Sequence, residues 1–311
     1  MGEENPIILF RGLSRDFKKT HAVDTLDLSI TPGELFGLVG PDGAGKTTTL
    51  RLLAGLLDVS RGEATILGFD LKRQAESIKP HVGYMAQQFG LYAELSVIEN
   101  LRFFAELFDV SARDLAERTD RLLTFAGLTE FKERRAAHLS GGMQKKLALA
   151  CTLVHQPEIL LLDEPTTGVD PVSRREFWNI LTELHIQGTT ILVSTPYMDE
   201  ADRCSRVGLM YAGKLIECDS PQNIRKRLEG DVIEIQPEDW QSVLDTVSKL
   251  PGVQEVQTYG ESLHLLVDSG EQRLPEVESA LKKEHIGCRS IRISPARMEE
   301  AFISLIRKME E

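Results

Sequence analysis

The sequence predicts an α/β fold: a parallel sheet core covered by helices on both faces, followed by a small α+β unit. Three observations carry this. Compact apolar runs recur through the first 220 or so residues, among them Leu35-Phe36-Gly37-Leu38-Val39, Ile159-Leu160-Leu161-Leu162 and Ile191-Leu192-Val193. Continuous apolar strands separated by helices are the mark of a sheet buried on both sides. From about residue 90 to 155 helical periodicity dominates, as in a helical subdomain inserted into the sheet. Beyond residue 230 a new strand–helix alternation begins.

The elements follow in order. Ile7-Ile8-Leu9-Phe10 is a short apolar run, and Leu26, Leu28 and Ile30 alternate with polar residues as in a half-buried strand. An antiparallel β-subdomain is expected at the N-terminal end. The run 35–39 passes directly into a glycine-rich turn. The stretch from Pro221 to Gly230 reads as a polar helix or linker. Val232–Ile235 reads as a strand, and Trp240, Val243, Leu244, Val247 and Leu250 keep one helical face. Val253–Val256 and Leu263–Val267 follow as strands. Leu274, Val277 and Leu281 mark a second helix, Ile291–Ile293 a last strand, and Met298, Phe302 and Leu305 a final helix. The order β-α-β-β-α-β is that of a ferredoxin-like unit. The expected domains are 1–225, with the helical insertion at about 90–155, and 226–311.

Composition bounds the function. The 311 residues are 41% hydrophobic, ample for one large or two smaller cores. No apolar run approaches the roughly 18 residues of a membrane span, and the acidic start has no apolar signal segment. The expected place is the cytosol, with any membrane role exercised through a partner. The net charge is -12, and from Glu229 onward there are 17 acidic against 9 basic residues. That balance argues against general nucleic-acid binding, which needs a basic surface. Cys151, Cys204, Cys218 and Cys288 have the spacing of neither a zinc site nor a disulfide framework. They read as reduced thiols.

Gly40-Pro41-Asp42-Gly43-Ala44-Gly45-Lys46-Thr47 fits GxxxxGKT without a mismatch, with Thr48 following. Glycines at 40, 43 and 45 let backbone N–H groups turn inward around a polyphosphate. Lys46 would neutralise the β and γ phosphates, the Thr47 hydroxyl would ligate Mg²⁺, and the helix starting near Gly45 would point its positive end at the ligand. The bland alternative, a glycine-rich turn, does not account for the strand before it and the helix after it. This motif alone does not choose among nucleotidases.

Leu139-Ser140-Gly141-Gly142-Met143-Gln144 narrows the choice. Ser140 is a natural helix cap, and two glycines leave the helix tip bare, ready for an anion. Downstream, Asp163 and Glu164 end an apolar strand. With alternating side-chain directions the two acids must differ in role: Asp163 to hold Mg²⁺ through water, Glu164 to polarise an attacking water. Isolated, either motif could be an ordinary cap or a solubilised strand end.

Together these residues resemble the ATP-binding-cassette family, whose signature is LSGGQ; position 143 is Met rather than the commoner Gln. The resemblance implies a P-loop ATPase that binds ATP and Mg²⁺. It also implies a head-to-tail pair, homo- or heterodimeric, in which Ser140, Gly141 and Gly142 of one chain complete the site of the other. Tyr84-Met85-Ala86-Gln87 resembles the family's Q-loop, and implies that Gln87 senses Mg²⁺ and water and links the sheet to the helical subdomain that docks a permease. Phe17, ahead of Ala22-Val23-Asp24, stands where the family places an aromatic that stacks on adenine; a core phenylalanine is its rival. Pro165 to Asp170 resembles the family's interface loop. The segment Ile293 to Phe302 is similar to the closing segment of exporter-type subunits. It implies an integral-membrane permease partner of the ABC-2 type, with this chain peripheral on the inner face of the membrane. The expected catalytic residues are thus Glu164, Lys46 and Gln87.

One departure stands out. After the strand ending in Val193-Ser194-Thr195 the family has a His that contacts the γ-phosphate, and here Pro196 occupies the place. Proline offers no side-chain donor and no backbone N–H. Slow turnover at this site, or replacement of the imidazole by a neighbour or water, are both open. Two rival functions follow: a regulatory ATP switch with little turnover, and a soluble cassette ATPase outside transport. The first would fail to release phosphate; the second would not co-purify with a membrane protein.

Overall fold

The computed structural model describes residues 5–88 and 90–310, and the chain divides into two units, Met1–Ser220 and Pro221–Glu311. The division falls ahead of the expected 225/226 boundary, because the short helix Pro221–Lys226 belongs with the second unit.

In chain order the first unit contains β1 (Ile8–Phe17), β2 (Thr20–Ile30), β3 (Leu35–Val39), α1 (Lys46–Leu53), β4 (Arg61–Ile66), β5 (Phe69–Asp70), α2 (Ala75–Ile78) and β6 (Val82–Met85). It continues with α3 (Val97–Leu107), α4 (Ala112–Phe125), α5 (Gly141–Leu153), β7 (Ile159–Asp163), α6 (Pro171–Ile186), β8 (Thr190–Thr195), α7 (Met198–Ala201), β9 (Arg206–Tyr211) and β10 (Lys214–Asp219). An antiparallel sheet of order β2-β1-β4-β5 is the expected N-terminal subdomain. The main sheet has the order β10-β9-β3-β8-β7-β6, parallel except for the β10 edge. Strands β3, β7 and β8 are buried at every residue, which is why they read as unbroken apolar runs. Phe36, Leu38, Leu161 and Leu192 join Leu50, Leu52 and Leu53 of α1 in one core cluster. Each such side chain contributes about 1.5–3 kcal/mol on burial.

The register of the main sheet sets the site. Val39 pairs with Thr195, and Asp163 pairs with Ser194. The loop after β3, the acids at the end of β7 and the polar end of β8 therefore meet at one carboxyl edge, the edge where open α/β sheets bind ligands.

Between β6 and β7 no strand intervenes among the described residues, and α3, α4 and α5 form the helical subdomain. Its core joins Val97 and Leu101 of α3, Leu123 of α4 and Leu147, Ala150 and Cys151 of α5. Helix α3 starts with a full capping box, Ser96 against Glu99.

The second unit contains α8 (Pro221–Lys226), β11 (Asp231–Pro237), α9 (Trp240–Val247), β12 (Val253–Tyr259), β13 (Ser262–Val267), α10 (Gly270–Lys283), β14 (Cys288–Ser294) and α11 (Met298–Glu310). Its sheet is antiparallel throughout, with order β12-β13-β11-β14. That is the ferredoxin-like arrangement expected from the element order. Ile233, Ile235, Leu263, Leu265 and Val267 pack against Val243 and Val247 of α9 and Val277 and Leu281 of α10. On β13 the alternate residue His264 is also buried, and its Nδ1 lies 2.5 Å from Glu300 of α11. With residues of both alternations buried, β13 loses the in–out pattern of a one-sided sheet.

Candidate functional site

The turn after β3 is built for close backbone approach. Gly45 caps α1 with φ 102°, and a Cβ there would stand 2.3 Å from the Ala22 carbonyl oxygen. At Gly40 a Cβ would stand 2.2 Å from the Met210 carbonyl. Any larger residue at either position would displace backbone. Gly43, with φ 79°, needs the left-handed region that glycine adopts freely, while Ala44 is buried. Pro41 and Asp42 complete the turn, and Thr48 lies in the first turn of α1. Lys46 is buried and curls back, its Nζ donating to the carbonyls of Gly40 at 2.8 Å and Pro41 at 3.0 Å.

The acidic pair meets this turn from β7. Asp163 is fully buried, and its Oδ1 accepts from the Thr47 hydroxyl at 2.9 Å and the Ser194 hydroxyl at 2.7 Å. Tyr84 of β6 donates to its Oδ2 at 3.4 Å. Burial above all raises the Tyr84 phenol above its usual value, with the neighbouring Asp163 charge acting the same way against Arg51. Glu164, the residue after β7, has φ 46°, a left-handed conformation unusual for a side chain of this size. The kink is fixed by its backbone N–H, which meets both Oγ and the carbonyl of Ser194 at 3.0 and 3.1 Å. It turns Oε1 to within 3.4 Å of Lys46 Nζ, while Oε2 accepts from Gln87 at 2.9 Å and Thr167 at 3.4 Å.

Lys46, Thr47, Gln87, Asp163 and Glu164 therefore form one cluster. The signature lies on a different wall. Ser140 caps α5, its hydroxyl accepting from Met143 N–H at 3.3 Å. Gly142 sits against α6, where a Cβ would stand 2.5 Å from Ser173. Gly141 shares a groove of about 330 Å³ with Gln87, Lys145 and Thr167. Phe17 ends β1 and is 41% exposed, with the Arg15 guanidinium 4.7 Å from its ring centre. That exposure answers the core-phenylalanine alternative: the ring is a surface face. Pro196 follows the last residue of β8 and is half-buried.

Sequence reasoning missed four members of the site. Ser194 and Tyr84 hold Asp163 as described, through a β6–β7–β8 register that the motifs themselves do not reveal. Lys145 of α5 donates to the Gln87 carbonyl at 2.6 Å. Glu200, 1% exposed, accepts from Thr166 and Thr195, each at 2.6 Å.

A phosphate-binding turn with its lysine and threonine, two acids at the end of β7 and a capped helix carrying two glycines define a nucleotide-binding ATPase cassette. The family described as "ABC transporter" matches residues 23–167. Over 304 residues the chain is 41% identical to the probable multidrug ABC transporter ATP-binding protein YbhF of Escherichia coli, covering 96% of this chain and 52% of that protein. The chain thus spans about half the length of that relative. It is 36% identical to the Nod factor export ATP-binding protein I of Cupriavidus metallidurans, covering 96% of this chain and 97% of that one. An ATP-binding cassette solved as a dimer in a post-hydrolysis state with ADP and Pi superposes with a TM-score of 0.63 at 25% identity, over 68% of this chain and 98% of that one. The chain belongs to the ATP-binding subunits of the ABC transporter family.

Proposed function

We propose that this chain hydrolyses Mg-ATP in a head-to-tail dimer and so drives an integral-membrane permease of the ABC-2 exporter type. The observation that carries the reading is the cluster at the carboxyl edge of the main sheet, where buried Glu164 meets both Lys46 and Gln87. The names of the relatives, which include a multidrug transporter protein and an export protein, support the direction of transport. No helix among the described residues is long and apolar enough to cross a membrane, so a spanning partner fits the reading. The chain would then act in the cytoplasm, peripheral on the inner face of the membrane.

In this reading the turn Gly40 to Thr48 holds the phosphates through backbone N–H groups, and Lys46 exchanges its two carbonyl partners for phosphate oxygens. Phe17 offers its open ring face to adenine. The all-oxygen set of the Thr47 hydroxyl, the Asp163 carboxylate and the Gln87 carboxamide suits a hard divalent cation such as Mg²⁺. That ion would supply charge neutralisation at the phosphates. Glu164 holds and deprotonates the attacking water, and Gln87 orients Glu164 through the amide contact. Ser140, Gly141 and Gly142 of a second copy or a homologous subunit close the site from the other side, their bare helix tip facing the γ-phosphate.

Phosphate release by the full chain with ATP and Mg²⁺, compared with Lys46→Ala and Glu164→Gln, tests the reading. Turnover abolished in both variants is expected. Undiminished turnover in Glu164→Gln would sink it. Co-purification with a polytopic membrane protein tests the permease partner.

A further inference from the structure

We propose that Lys145 is a positioning residue for ATP turnover, a clamp that joins the signature helix to the catalytic glutamate through the backbone of Gln87. The inference rests on the reading of Gln87 and Glu164 given above. Its basis is a continuous chain of contacts. Lys145 Nζ donates to the Gln87 carbonyl at 2.6 Å. The Gln87 amide donates to Glu164 Oε2 at 2.9 Å. Glu164 Oε1 lies 3.4 Å from Lys46 Nζ. Four residues thus connect α5 to the phosphate-binding turn.

The neighbours of Lys145 show why this contact is more than a solvated lysine finding an acceptor. Gln144 turns the other way and donates to the Ala136 carbonyl at 3.0 Å, inside the helical subdomain. Lys146 pairs with Glu176 of α6 at 2.9 Å. Three consecutive residues of α5 therefore tie it to three separate segments, and Lys145 alone reaches the stretch that carries Gln87. The described residues of that stretch, after β6, carry no helix or strand, so their position depends on such ties. A charge-assisted bond to a backbone carbonyl fixes where the main chain runs. The reach of the Gln87 amide toward Glu164 follows from that path.

The Lys145 ammonium is partly buried. Desolvation lowers its pKa, and the charges of Asp163 and Glu164 oppose that shift. The two acids thus favour a charged lysine here, in keeping with the geometry. The ammonium acts on the acids through Gln87, whose carbonyl it meets and whose amide meets Glu164.

The clamp makes a specific kinetic prediction. Lys145→Met keeps the stem and removes the donors, and should lower kcat roughly tenfold, the size one charge-assisted hydrogen bond carries. KM for ATP should stay within about twofold, because no phosphate contact is lost. Lys145→Arg, which retains a cationic donor, should restore most of the rate. The decisive arm is the Gln87→Ala background. There Lys145→Met should cost little more, since the link it serves is already cut. A structural role would lower both rates by the same factor. Overturning results are an unchanged or raised kcat in Lys145→Met, an effect confined to KM, or a full multiplicative loss on top of Gln87→Ala. A wild-type chain without turnover, or one indifferent to Gln87→Ala, would remove the functional reading and the clamp with it. A normal Gln87→Ala loss beside an indifferent Lys145→Met would remove the clamp alone.

Discussion

Thr166, in the loop behind the acidic pair, donates its hydroxyl to the buried carboxylate of Glu200 across 2.6 Å. The other oxygen of Glu200 accepts from Thr195, at the end of β8, at the same distance. One side chain thus fastens together the two segments that flank Glu164, with Arg174 Nε 3.8 Å away. Replacing Glu200 with Ala would leave two hydroxyls in dry surroundings, each costing about 1–3 kcal/mol. The expected outcome is a urea midpoint well below wild type at an unchanged m-value. Thr166→Val and Thr195→Val singly should each cost less than Glu200→Ala.

Lys46→Ala removes the only ammonium in the phosphate-binding turn and leaves Glu164 buried without a cation beside it. Nucleotide affinity should fall on the order of 100-fold, the range of a strong charge-assisted contact. Titration calorimetry with a non-hydrolysable ATP analogue measures it. Losing the cation beside the buried Glu164 carboxylate should lower stability as well. Retained affinity would show that the turn does not hold the triphosphate.

Much of this site was legible because its constraints are local. The turn 40–48 needs glycine where a Cβ would strike the backbone at Ala22 and Met210, and that demand is written in consecutive residues. The runs of β3, β7 and β8 are apolar because they are buried on both faces, so the parallel sheet could be read directly. What stayed hidden depends on three-dimensional pairing. Ser194 reaches Asp163 only through the β7–β8 register. Lys145 meets Gln87 across 58 positions of sequence. The strands β4, β6, β9 and β10 went unnamed for a related reason. They are short and interrupted by glycine or charge, as in Arg61-Gly62-Glu63-Ala64 and Arg206-Val207-Gly208, so no period emerges.

His155, following α5, stacks on Phe108 with centroids 3.8 Å apart and planes at 9°. Burial pushes its imidazole down to about 4; a contact at the Val82 backbone opposes the shift, and the Arg118 charge adds a smaller push in the same direction as burial. In the unfolded chain the imidazole titrates near its ordinary value of about 6.5. Below that pH the unfolded state binds a proton that the folded state refuses, so the stabilisation is present above 6.5 and drains away as pH falls toward 4. His155→Phe keeps the stack and removes the titration. Its stability should vary less than wild type between pH 6.5 and 4, as read from urea midpoints. Parallel curves for the two proteins would refute the assignment.

Glu164→Gln preserves the shape of the acidic pair while removing the base. The Gln87 amide can still meet the Oε1 of the new carboxamide, so the kinked backbone at position 164 should persist. Phosphate release should fall by at least about 100-fold, with ATP binding retained. ATP should then hold two copies together, since closure no longer ends in hydrolysis. Size-exclusion chromatography with and without ATP and Mg²⁺ reads this. A variant that stays monomeric with saturating ATP would contradict the shared-site arrangement.

Pro196 makes the last prediction. The segment after β8 does not rely on proline for its shape. The Tyr197 N–H donates to Thr195 Oγ1 at 3.1 Å, and Thr195 in turn donates to Glu200. A Pro196→His substitution should therefore fold, at a cost of about 0.4–1 kcal/mol from the added freedom of the unfolded chain. The new imidazole would stand at the carboxyl edge of β8, beside the end of β7, where the γ-phosphate sits in the proposed complex. One further donor to the developing charge should raise kcat roughly tenfold with little change in KM. The gain should appear only with Glu164 intact, because the added contact stabilises a transition state that the glutamate must first generate. If Pro196→His leaves kcat unaltered while Glu164→Gln abolishes turnover, a water or a neighbouring side chain already fills the role of that donor.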